Sequence, residues 1–78
     1  GGSKGNMQAI VDAALAANPQ TRLCIAAIAL ETLQQSIAAL AAHGLAAQVT
    51  QIAVSRSKAA GSLHLMMANN PVFLIVRE

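Results

Sequence analysis

A chain of 78 residues with a net charge of +2, of which 55% are hydrophobic and only 10% charged, has room for one small core at most. The composition is too apolar for a disordered segment. The scattered Lys and Arg, with Phe73 as the sole aromatic, offer no nucleic-acid surface and no stacking platform for single strands. No membrane span is expected either: the stretch from Thr32 to Ser55 lacks acids and bases, but Gln34, Gln35, His43, Gln48 and Gln51 interrupt it, and no signal-peptide pattern opens the chain.

The sequence begins as a glycine-rich loop, Gly1-Gly2-Ser3-Lys4-Gly5-Asn6, that runs into an apolar helix with no strand ahead of it. Such a loop lets backbone amides approach a ligand, and the helix start behind it favours anionic groups. A flexible linker has the same composition. Met7, Ile10, Val11, Ala14 and Leu15 recur at helical spacing up to Ala17; Asn6 or Ser3 can cap the start, and Asn18-Pro19 ends the helix, because the residue before proline disfavours it.

Leu23 to Ile28 is an unbroken apolar run that suits a short strand covered on both faces. Within it Cys24, the only cysteine, reads as a small core residue. It has no disulfide partner in the chain, which fits a reducing cytoplasmic setting. A second helix follows with Leu30, Leu33, Ile37, Leu40 and Ala41 on its apolar face, stopped by His43-Gly44. Leu45 to Val54 reads as a strand. Residues 55–70 form a long connection carrying Arg56, Lys58, Gly61, His64 and the apolar Leu63, Leu65, Met66 and Met67, with the two methionines expected to fill apolar space. After the Asn69-Asn70-Pro71 turn, Val72 to Val76 is a last apolar strand. It arrives without a helix and should run antiparallel. If the two earlier strands are parallel neighbours, the helix between them must cross over right-handed.

This order, with Gly1-Gly2-Ser3-Lys4-Gly5-Asn6, Arg22-Leu23 leading to Leu30-Glu31-Thr32-Leu33, Val54-Ser55-Arg56 and Asn70-Pro71-Val72, resembles the C-terminal domain of the precorrin-6Y C-5,15-methyltransferases (decarboxylating) of cobalamin biosynthesis. These are class I S-adenosylmethionine-dependent enzymes. The resemblance implies an α/β fold: the C-terminal part of a Rossmann-like sheet, mostly parallel with its last strand antiparallel. Residues 1–78 would form one portion of a single domain whose N-terminal cofactor-binding half lies upstream. It further implies methylation of a tetrapyrrole at C-15, decarboxylation of the ring C acetate, a homotetrameric assembly, and a cofactor-facing loop at Gly1, Gly2 and Ser3. The chain departs from the family at Ala26, where members often carry Asn.

Methyl transfer from a sulfonium needs an aligned nucleophilic carbon and a dry pocket more than an acid–base pair. None is evident: Asp12, Glu31 and Glu78 are isolated in sequence, His43 and His64 lie in different elements, and no catalytic residue or metal-ligand spacing is singled out. Precorrins carry many carboxylates, so Arg56 and Lys58 are the candidate substrate contacts. Two residues apart in extended chain, they point the same way. Ser55 and His64 in the same connection, and Glu31 at the start of the second helix, complete the substrate-side candidates. Glu31 also suits the helix dipole. The competing readings are a noncatalytic α/β interaction or oligomerisation module and a small phosphate-binding domain. The second lacks both P-loop spacing and a complete GxGxxG.

Overall fold

The computed structural model describes residues 6–78. Helix α1 covers Met7–Ala17 and ends as the Asn-Pro pair requires: Asn18 is extended (φ −154°, ψ 107°), and its side chain accepts from the Gln20 amide at 3.0 Å. Asn6 precedes the helix, but its side chain makes no capping hydrogen bond. Ser3, the other expected cap, lies outside the described residues.

Strand β1 is Cys24–Ala27 and helix α2 is Leu30–Ala41. The stop after α2 is a Schellman cap. Gly44 has φ +70°, its amide donates to Ala41 O at 2.9 Å, and the Leu45 amide donates to Leu40 O at 3.0 Å. Leu45 folds back onto the core to which Leu40 belongs.

Strands β2 (Ala47–Ile52) and β5 (Val72–Arg77) complete a three-stranded sheet of order β1-β5-β2. The last strand runs antiparallel to both neighbours. β1 and β2 therefore run the same way, but they are not hydrogen-bonded neighbours, because β5 is inserted between them. The parallel pairing considered for the two earlier strands does not occur: every strand pair among the described residues is antiparallel. Arg77 extends the last strand by one residue and locks the α1–β1 connection, donating from Nη1 to Pro19 O at 2.8 Å and Thr21 O at 3.2 Å.

The core forms between the two helices and one face of this sheet: Met7, Val11 and Leu15 from α1, Ala39 and Leu40 from α2, Ala27 from β1 and Ile75 from β5. Alternation along the strands sends Ile25, Phe73 and Ala47 to the same side. The opposite face holds Cys24, Gln48 and Thr50, all exposed, beside half-buried Leu74 and Val76. The run from Leu23 is thus covered on one face only, and Cys24 is exposed rather than a core residue.

The buried side of α2 also differs from expectation. Ser36, Ala39 and Leu40 are buried, whereas Leu30 and Ile37 stay exposed. The buried Ser36 hydroxyl needs no outside partner, since it donates to Thr32 O at 2.7 Å.

Residues 55–70, expected as a loop, instead form a hairpin. Strand β3 (Ser55–Ala60) pairs antiparallel with β4 (Leu63–Ala68) around Gly61-Ser62. Gly61 has φ +61°, as the first central residue of a primed two-residue turn demands. The Asn69 amide donates to Val54 O at 2.9 Å and closes the base. The hairpin touches no other helix or strand among the described residues, and with it the molecule extends to 56 × 23 × 18 Å. Met66 and Met67, expected to fill apolar space, are exposed on it.

Candidate functional site

Because β1 and β2 run the same way, their carboxyl ends lie at one edge of the sheet, where β5 begins. Ligands of open α/β sheets bind outside that edge. Two segments supply it. After Ala27 the chain turns through Ile28 and Ala29 into α2, whose first turn carries Glu31. After Ile52 it leaves through residues 53–54 into the hairpin, with Ser55 and Arg56 at the base. The two segments are separated by the width of β5, that is two strand spacings or about 10 Å.

The hairpin register divides the candidates on it. Arg56 lies opposite Met67 and Lys58 opposite Leu65, so both cations share one face with those apolar side chains. Ser55 and His64, paired with Ala68 and Ala59, belong to the other face. Glu31 stands across the edge, in α2. Arg56 and Lys58 are therefore brought together, while Ser55, His64 and Glu31 are not brought to them. Gly1, Gly2 and Ser3 lie outside the described residues.

A polar pair that sequence spacing did not reveal joins the two helices. His43 Nε2 lies 2.6 Å from Asp12 Oδ1, and Gln8 Nε2 donates to the same oxygen at 2.8 Å. The hydrogen bonds from Gln8 and then His43 hold the Asp12 carboxyl below its ordinary value of 3.8. With Leu15, Ala16, Pro19 and Leu45 this pair lines a cavity of about 360 Å³. His43 follows α2 and precedes β2, so this cavity sits at the amino end of the strands, away from the ligand edge. A second groove of about 320 Å³, formed by Leu30, Leu33, Gln34, Ile37 and Ala38, runs along α2.

Among the described residues no three His, Cys, Asp or Glu side chains gather as a metal site, and no helix is long and apolar enough to cross a membrane. The described part of the edge offers one carboxylate, Glu31, and no polar-walled cavity.

Two helices on one face of a sheet whose last strand is inserted antiparallel match solved methyltransferase structures. The precorrin-6Y C5,15-methyltransferase of Geobacter metallireducens GS-15 aligns over 100% of this chain and 40% of its own, at 28% identity and a TM-score of 0.85. The precorrin 8W decarboxylase of Methanobacterium thermoautotrophicum aligns over 100% of this chain and 42% of its own, at 30% identity and a TM-score of 0.88. A precorrin-6Y C5,15-methyltransferase targeted domain from Corynebacterium diphtheriae aligns over 70% of this chain and 31% of its own, at 25% identity and a TM-score of 0.57. The chain spans less than half the length of each. No curated protein sequence matches it.

The fold is thus that of an α/β methyltransferase. The chain belongs to the precorrin methyltransferase family, whose domain model matches residues 1–77.

Proposed function

We propose that this chain is the C-terminal portion of one methyltransferase domain, and that the complete parent enzyme methylates a precorrin at C-15 and decarboxylates the acetate on ring C. The observation that carries the reading is the full-length alignment of the chain, at TM-scores of 0.88 and 0.85, with less than half of two solved precorrin enzymes. S-Adenosylmethionine, when bound, supplies an electrophilic methyl group. Gly1, Gly2 and Ser3, outside the described residues, contribute to its site, and the remaining contacts come from the N-terminal half.

The described residues act on the substrate side. Arg56 and Lys58, on one face of the hairpin, hold carboxylates and fix the ring relative to the sheet edge. Ser55, Glu31 and His64 are secondary contacts. Such positioning is a large part of the acceleration available to a reaction that needs no acid–base pair.

Copies of the parent associate, with a tetramer as the state implied by family likeness. Met66, exposed on the hairpin face opposite the two cations, and Leu63 at the hairpin tip support that association, since the hairpin packs on no other helix or strand among the described residues. The proposed location is the cytoplasm.

The test combines two titrations. The complete parent, given methyl-labelled S-adenosylmethionine and precorrin, transfers label to the tetrapyrrole and releases carbon dioxide. The 78-residue chain alone shows no saturable cofactor binding by calorimetry. Low-micromolar cofactor binding by the chain alone, or no transfer by the parent, refutes this assignment.

A further inference from the structure

Two large apolar side chains stand open where β1 gives way to α2. Ile28 is 59% exposed and Leu30 67% exposed, and they bracket Ala29, the extended residue from which α2 starts. On either side lie buried residues: Ala27 before them is fully buried, and α2 after them buries Ser36, Ala39 and Leu40. Leu30 also opens into the groove along α2, whose other walls are Leu33, Gln34, Ile37 and Ala38.

Position gives these residues their chemistry. They follow the carboxyl end of β1, and the cationic base of the hairpin follows the carboxyl end of β2, about 10 Å away across β5. One side of the edge is apolar and the other carries Arg56 and Lys58. A reduced tetrapyrrole has the complementary layout, with a broad apolar ring surrounded by acetate and propionate carboxylates. A nucleoside cofactor has no comparable apolar face bounded by anions.

We propose that Ile28 and Leu30 form a ledge that receives one face of the precorrin macrocycle while the hairpin cations hold its carboxylates. This rests on the methyltransferase reading above and adds to it the residues that recognise the ring itself. The ledge contributes by removing apolar ring surface from water, an effect that survives high salt, whereas the Arg56 contribution is screened.

The experiment uses Ile28→Ser, Leu30→Ser and Ile28→Leu in the complete parent enzyme, with precorrin and S-adenosylmethionine dissociation constants, melting temperature and oligomeric state measured for each. Each serine variant should bind precorrin roughly tenfold more weakly at both low and high salt. Cofactor affinity and melting temperature should be unchanged, and Ile28→Leu should bind as wild type. Unchanged precorrin affinity overturns the ledge, and a simultaneous change of oligomeric state reassigns it to a contact between copies. Equal weakening of both ligands also overturns it. If the wild-type parent binds cofactor but no precorrin, the methyltransferase reading itself fails and the ledge fails with it.

Discussion

His43 Nε2 lies 2.6 Å from Asp12 Oδ1 across 31 residues of sequence, tying the chain just beyond α2 to the middle of α1. Gln8, one turn before Asp12, holds the same oxygen. α1 has no other long-range side-chain hydrogen bond among the described residues, so this pair sets its rotation against α2 beyond what apolar packing alone dictates.

A depressed carboxyl pKa makes that contact pH-dependent. Asp12 contributes stability that is fully present above its ordinary value of 3.8 and is lost as pH falls through the lower value in the folded protein, where the unfolded chain binds the proton first. Thermal melts of the parent from about pH 5 to about pH 2 should fall less steeply in Asp12→Asn than in wild type. Superimposable slopes would rule out the contribution.

The proposed carboxylate grip is tested by Arg56→Ala in the parent. Precorrin binding should weaken by about 1.5–3 kcal/mol, the usual range for a hydrogen bond to a charged group. Lys58→Ala should cost less, since a point charge lacks the two-pronged geometry of a guanidinium. Cofactor affinity should stay as in wild type, and added salt should imitate the substitution in part. Equal losses for both ligands would show that Arg56 acts on the fold instead.

Replacing Gly61 by Val isolates the hairpin from the body. Its φ of +61° is unfavourable for any side chain, although no atom lies within 4 Å of where a Cβ would stand. The cost is therefore backbone strain, about 1–3 kcal/mol. Because the hairpin packs on no other helix or strand among the described residues, amides in 55–68 should exchange faster while those of the three-stranded sheet keep their protection. Hydrogen exchange read by mass spectrometry distinguishes this from a loss shared by the whole fold.

The isolated chain should associate. One sheet face leaves Cys24, Gln48 and Thr50 exposed beside half-buried Leu74 and Val76, and β2 has an unpaired edge among the described residues. Light scattering during a denaturant titration is the measurement. A strictly monomeric, cooperative transition would mean that the chain is self-sufficient.

What was legible in the sequence follows from how each signal arises. α1 declared itself by a 3.6-residue apolar period and a proline that fixes its end, and the α2 stop by a glycine that only a left-handed cap explains. The hairpin stayed hidden because neither strand alternates apolar with polar residues. Ser55–Ala60 lacks β-branched residues, Leu63–Ala68 consists largely of helix formers, and Gly61-Ser62 was the only local sign. On α2 periodicity points to the larger side chains, whereas the packed fold buries Ser36 and Ala39 and leaves Leu30 and Ile37 exposed. At the candidate site, alternation correctly put Arg56 and Lys58 on one face. The separation of His64 from them depends on a register that only the turn at Gly61 sets. The Asp12–His43 contact has no local signature, since it depends on how two helices pack.

The insertion of β5 between β1 and β2 has a consequence for synthesis on the ribosome. As Cys24–Ala27 and Ala47–Ile52 emerge, neither bonds to the other, because the strand that pairs with both is residues 72–77, which leaves the exit tunnel after them. Until then this region can hold its helices but not its three-stranded sheet, and β1 and β2 wait for the strand that joins them. A message cut short just before Val72 would yield a product without the central strand of this sheet, suited to chaperone capture or proteolysis. Emergence of Val72–Arg77 and closure of this three-stranded sheet are the same event.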